Sequence, residues 1–377
     1  MAPVAVIEVV RYGFGMLFAT RVAGWCETRG RATVLRRLLI CENLGVVLGA
    51  LLSRAALGDL GSPAFWAAAA CFGADAVCSS ALQTLVGKVS VRSLASSARA
   101  DTNAKLVRLD MAVALGCPVA VGALAQWRGR HDAAAALAVA HVLGGLCVFA
   151  CSARFRACAA GAPPPPPGPA GAPAAGEGRR AVRRLDPFAR GCLDAYCLLY
   201  VTVLSPHGVT VAWLRGVRRT DPAVIGAFQT LAQGVGLAAT YATPCLVRRA
   251  GARRAARGAN LGQAACAALA VLALYRGRER LFLAGLCASR FGLWAFDLLE
   301  REILQTAAAS DKQCMALFAE QSRRTSMASL AIFGASAYLS DAARFPYLLG
   351  ASLLTLAASA VVLDRGARRA DALGKRA

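Results

Sequence analysis

The stretch Leu281–Gln305, LFLAGLCASRFGLWAFDLLEREILQ, decides the fold. It reads as one long apolar helix that carries two opposite charges, Arg290 and Asp297, seven residues apart. That spacing puts both on one helical face, two turns from each other. In a bilayer such charges are costly, so their face must turn toward a pathway or another helix.

Composition supplies the bilayer. The chain is 57% hydrophobic and only 17% charged, with a mean hydropathy of +0.50. A soluble domain is closer to ~45–50% apolar and ~25% charged. The net charge of +22 is spread in short clusters between long apolar runs rather than on one surface, so a nucleic-acid partner is not expected. The fourteen cysteines sit mostly inside those runs. They show no CxxC pair or zinc spacing, and a disulfide framework belongs to small secreted domains. They read as small apolar helix residues. No nucleotide loop or catalytic triad is visible, so an enzyme is not expected.

Apolar runs long enough to span, about 17–25 residues, fall at 4–25, 34–53, 63–87, 109–127, 134–153, 190–214, 222–246, 259–275, 281–299, 324–340 and 344–363. The expected fold is all-α integral membrane, with about 11 transmembrane helices. The connections after helices one, three, five, seven, nine and eleven share one side and are the richer in arginine and lysine. The positive-inside rule makes that side cytoplasmic, or stromal in an organelle. Between Pro163 and Pro167 the chain is unbroken proline, which predicts an extended, semi-rigid spacer. The expected domains are an N-terminal bundle of five spans over 1–157, a Pro/Gly/Arg-rich linker over 158–189, a C-terminal bundle of six spans over 190–364 and a basic tail over 365–377. A two-bundle transporter built from repeated halves has six spans on each side. The first helix of the usual twelve is therefore expected to be missing ahead of Met1.

Several polar residues interrupt the spans. Asp75 and Asp297 lie deep, where a carboxylate lines a cavity. Glu42 and Asp110 lie near helix ends, where pathway and salt-bridge readings compete evenly. The turn GWCETRGRATVLRR places Glu27 and Arg31 between the first two helices. These are candidates for an inner gate, against a turn made basic by topology alone. In LLYVTVLSPHGVTVAW (Leu198–Trp213), Pro206 removes a backbone donor and Gly208 weakens the helix. A broken helix at this depth frees carbonyls that can coordinate a cation. His207, between them, is the candidate metal ligand. The competing reading is a histidine facing water or headgroups.

These pieces resemble one family. AGLCASRFGLWAFDLLEREILQ (Ala284–Gln305) is similar to the ferroportin signature AGxxxxRxGLWxFDLxxxQxxQ, with Glu302 in place of the first glutamine. LLYVTVLSPHG resembles the family's seventh-helix motif. NAKLVRLD (Asn103–Asp110) resembles its NxxxxRxD, and GWCETRGRATVLRRLLICEN (Gly24–Asn43) its second-to-third helix turn. The resemblance covers most of residues 2–364 and implies a major-facilitator-like two-bundle transporter that exports Fe²⁺, and in some members Co²⁺, Ni²⁺, Zn²⁺ or Mn²⁺, by alternating access. It gives Asn103, Arg108, Asp110, Arg290, Asp297 and Glu302 pathway or gating roles. Glu42 falls where animal members have a calcium-site glutamine, keeping an oxygen for calcium or a proton. The family's other ligands depart. Its seventh-helix cysteine corresponds to Gly208, and its eleventh-helix histidine falls near Ala331. The expected partners are a divalent metal and the lipid bilayer, for a monomer in the plasma membrane or an organelle membrane (vacuole or plastid). The alternatives are a non-transporting pseudo-transporter with a scaffold role and a facilitator of another small solute.

Overall fold

The computed structural model describes residues 2–28, 31–56, 59–85, 99, 101–108, 111, 139, 177–206, 208–339, 341 and 344–374. Nearly all of predicted spans four and five, the proline run, Asp110 and His207 lie outside the described residues.

Every described regular element is helical. The N-terminal bundle contributes α1 (Ala2–Thr28), α2 (Arg31–Ala56), α3 (Pro63–Leu82) and an unlabelled helical run at 101–108. Then come α4 (Glu177–Arg183), α5 (Pro187–Leu199), α6 (Val209–Gly216), α7 (Pro222–Ala250), α8 (Ala252–Tyr275), α9 (Glu279–Ala307), α10 (Asp311–Tyr338) and α11 (Phe345–Gly374). Nine of the eleven predicted spans coincide with described helices, one of them as the pair α5 and α6. Among the described residues five helices are long and apolar enough to cross a membrane: α3, α7, α8, α9 and α11.

Local sequence sets the boundaries. Ser62-Pro63, Asp186-Pro187 and Asp221-Pro222 each place an acceptor side chain before a proline. Ser62 accepts from the Ala64 amide, Asp186 from those of Phe188 and Ala189, and Asp221 from that of Ala223. Each cap satisfies otherwise orphan amides, and proline at the first helical position loses no bond it needed.

Two predicted boundaries move. Helix α10 starts at Asp311, well before the predicted span at 324. Its first turns carry Lys312, Glu320, Arg323 and Arg324, which depress hydropathy but pair with protein groups. The linker is described only from 177 onward, and there it is helical rather than extended, with Ala181 and Val182 buried.

Within the bilayer, apolar burial gives helices little drive to associate, so packing rests on small residues and interhelical hydrogen bonds. Asn260 of α8 donates to Ser359 of α11 at 3.0 Å, and Ser359 donates to the Ala195 carbonyl of α5 at 2.9 Å. Across the two bundles, α1 lies along α10. Gly15 permits this, since a Cβ there would overlap the Ser326 hydroxyl. At the end of the molecule where α1 meets α2, one apolar core spans both bundles. It joins Cys26 and Leu38 to Val182 of α4, Leu304 of α9 and Phe318 of α10. That end carries the arginine-rich connections.

Candidate functional site

Two polar sites and one clamp emerge from the predicted residues. The first site lies in the C-terminal bundle. Asp297 is buried on α9, and Arg290, on the same face, does not pair with it. Instead the Tyr196 hydroxyl of α5 donates to Asp297 Oδ1 at 2.6 Å, and Arg301, one turn on, donates to Oδ2 at 3.1 Å. Tyr196 and Tyr200 also bond through their hydroxyls at 3.0 Å. Both carboxylate oxygens are thereby engaged, with a guanidinium among the partners. In this arrangement Asp297 is charge-paired with Arg301. Arg290 makes no ion pair among the described residues and sits within electrostatic reach of Tyr200 and Cys287.

The predicted helix break stands beside this site and is longer than Pro206 and Gly208 alone imply. Helix α5 ends at Leu199 and α6 begins at Val209. Gly208 has φ +60° and ψ −127°, a conformation open to glycine and strained for other residues. The freed carbonyls are not idle. Thr355 donates to Val201 O at 2.7 Å, Thr210 donates to Val203 O, and Gln229 donates to Pro206 O at 3.0 Å. Three of the carbonyls at the break are thus paired within the protein. A buried carbonyl costs too much to leave unpaired, and threonine and glutamine lie close enough to pair it. His207 itself lies outside the described residues.

The second site lies between α2 and α3. Glu42 is hydrogen-bonded to Ser79 and faces Asp75. The thiols of Cys41 and Cys78 meet alongside. Gly45 lets the helices close, because a Cβ there would come within 2.9 Å of the Cys71 carbonyl and 3.2 Å of the Asp75 Cβ. The structure therefore brings Glu42 and Asp75 together, which their separation in sequence did not disclose. Among the described residues no group of three or more His, Cys, Asp or Glu side chains is placed to hold a metal ion.

The clamp lies at the basic end. Asn103 donates to Gln305 Oε1 at 2.8 Å, a buried bond between bundles. Arg108 donates to the Thr240 carbonyl at 3.1 Å and stacks over Tyr241 at 4.0 Å. Glu302 lies within electrostatic reach of Arg99. Asn103, Arg108 and Glu302 thus each meet a residue of the other bundle. Glu27 and Arg31 fall at the end of α1 and the start of α2, on the same side.

Further charges complete this end, and sequence reading alone did not single them out as a site. Glu320, nearly inaccessible, receives Arg323 at 2.7 and 2.8 Å and Arg324 at 3.0 Å. Arg324 also reaches Asp194 of α5 at 2.8 Å. Glu300 accepts from Gln321 at 2.8 Å. The helical i, i+3 and i, i+4 spacing of Glu320 with Arg323 and Arg324 was the available signal. Outside the spans, Lys105 bonds Asp101 at 2.7 Å and holds its carboxyl below the usual range.

Comparison with known proteins bears on this geometry. Residues 194–356 match the family Ferroportin1 (FPN1). The chain is 33% identical over 180 residues to "Ferreportin" of Bdellovibrio bacteriovorus. It is 29% identical over 171 residues to "Solute carrier family 40 member 2, chloroplastic" of Oryza sativa subsp. japonica. These matches cover 46% and 43% of the chain but only 40% and 28% of the relatives' lengths. A solved bacterial homologue of the iron transporter ferroportin, outward-facing with soaked iron, superposes with a TM-score of 0.74 at 23% identity. It covers 96% of this chain and 89% of its own. The E. coli fucose:proton symporter superposes at 0.62 with 13% identity, over 97% of this chain and 90% of its own. At these identities the likeness establishes the fold, which is that of the major-facilitator transporters.

Proposed function

We propose, from the match of residues 194–356 to the ferroportin family, that the chain is a transmembrane carrier of divalent metal, with Fe²⁺ as its principal cargo. The carrier works by alternating access. The two bundles separate at one end while closing at the other, and the cargo crosses between them. The observation that carries this reading is the clamp. The signature helix α9 places Gln305 against Asn103, while Arg108 reaches α7. Both contacts are breakable hydrogen bonds and hold the basic, cytoplasmic end shut alongside the apolar core that the two bundles share there.

Cargo chemistry falls to three sets of groups. Asp75 and Glu42 offer hard oxygen ligands between α2 and α3. Asp297 becomes available once Arg301 swings away. His207 supplies a nitrogen suited to first-row metals at the break. Release of Arg301 as metal arrives couples occupancy to helix α9, and through Gln305 to the clamp. Purified protein in sealed vesicles containing a metal-quenched dye tests the proposal. Fe²⁺ added outside should quench the dye faster than in empty vesicles.

A second reading, a non-transporting scaffold with the same fold, draws on the engaged carbonyls and the lack of a preassembled ligand group among the described residues. Thermal unfolding separates the two. A carrier gains stability with rising Fe²⁺, Co²⁺ or Ni²⁺ by mass action, and a scaffold does not.

A further inference from the structure

In the C-terminal bundle, apart from the residues of the clamp, α8 and α11 leave a groove of about 460 Å³. Its two ends differ in chemistry. At the basic end Arg257 of α8 pairs with Asp364 of α11, and Arg368 pairs with the other oxygen of Asp364 at 2.7 Å. Arg365 lies on the same rim, exposed, and makes no ion pair among the described residues. One turn deeper into the membrane the wall becomes Leu261 and Val361, which are 62% and 48% exposed. Ala360 and Leu363 of α11 complete the lining.

Three guanidiniums against one carboxylate leave a local charge of +2. They stand where the span 344–363 ends, on the side rich in arginine. Below them runs an apolar slot open to the side. A charged head at the interface over an apolar tail is the shape of a lipid. Basic pockets between transmembrane helices on the cytoplasmic side suit anionic head groups.

We propose that this groove binds one anionic phospholipid of the inner leaflet. Its phosphate sits among Arg257, Arg365 and Arg368, and an acyl chain lies along Leu261 and Val361. Asp364 is then a competitor for the phosphate. It engages two of the three guanidiniums and sets a moderate affinity.

This role of Asp364 gives the test a sign that a purely structural clasp does not share. The full chain, purified in neutral detergent, is titrated with dioleoyl phosphatidylglycerol, dioleoyl phosphatidylcholine or sodium phosphate, and bound lipid is read by native mass spectrometry. The wild type should hold one phosphatidylglycerol about tenfold more tightly than phosphatidylcholine. R257Q/R368Q should weaken it by about 30-fold, near fivefold for each guanidinium at the interface. D364N should tighten it several-fold, although it loosens the α8–α11 clasp. If R257Q/R368Q does not fold, R365Q and D364N carry the comparison. Equal retention of the two lipids, weaker retention by D364N, or displacement of the lipid by equimolar sodium phosphate would overturn the proposal.

Discussion

Asn103 and Gln305 are 202 residues apart in the chain and 2.8 Å apart in the structure, each buried, with the Asn103 amide donating to the Gln305 side-chain oxygen. The bond joins the helical run at 101–108 to the last turns of α9 across the seam. The Asn103 side-chain oxygen has no partner among the described residues, so this pair is only half satisfied. Such a pair suits a contact that must break.

Removing both members should cost less than the two single losses added together. N103A leaves the Gln305 amide buried, and Q305A leaves Asn103 buried, at about 1–3 kcal/mol each. The double variant N103A/Q305A should fall short of the sum by 0.5–3 kcal/mol, the range seen for residues in contact. Denaturant or thermal unfolding in detergent measures the cycle, and simple additivity would show that the bond does not couple the bundles.

The Asp297 triad predicts a graded series. D297A strands Arg301 without its counter-ion and should destabilise by about 3–5 kcal/mol. Y196F deletes one hydrogen bond and should cost about 0.5–1.5 kcal/mol. R301M strands Asp297 at a comparable cost of about 3–5 kcal/mol, but should unlock it and change the apparent metal affinity. If R301M and the wild type show the same metal-dependent thermal shift, Arg301 does not guard the carboxylate.

At the seam, G15A forces a methyl group into the Ser326 side chain. Overpacking of this kind costs about 1–3 kcal/mol. S326A removes the hydroxyl that stands closest, so G15A/S326A should recover most of the loss. Failure to recover would place the strain elsewhere along α1.

Gly208, at φ +60° and ψ −127°, should resist every side chain. G208A should lower stability by about 1–3 kcal/mol, while the neighbouring V209A should show no backbone penalty. Thermal midpoints of the two variants check the difference.

The legible part of the fold was the part written in hydropathy. Spans such as α9 and α11 announce themselves because lipid tolerates few charges. Helix α10 did not. Its first turns are charged, and only the folded chain shows Glu320 absorbing Arg323 and Arg324. Arg290 and Asp297 were visible as a face of α9, yet their partners were not. Tyr196 lies 101 residues from Asp297, and nothing in a periodic pattern records a contact at that distance. The break at Pro206 and Gly208 was readable from residue type, since proline and glycine act locally. Its satisfaction by Thr355, Thr210 and Gln229 is tertiary. Helix α4 was hidden by the proline-rich composition upstream of it.

The measurement closest to the central claim is metal movement in sealed vesicles by N103C/Q305C, before and after a short thiol-reactive cross-linker. A carrier that opens at this end should take up Fe²⁺ before treatment, stop when cross-linked and recover when a cleavable linker is cut. Uptake that continues unchanged through the cross-link, or no uptake by the wild type at all, would contradict the account.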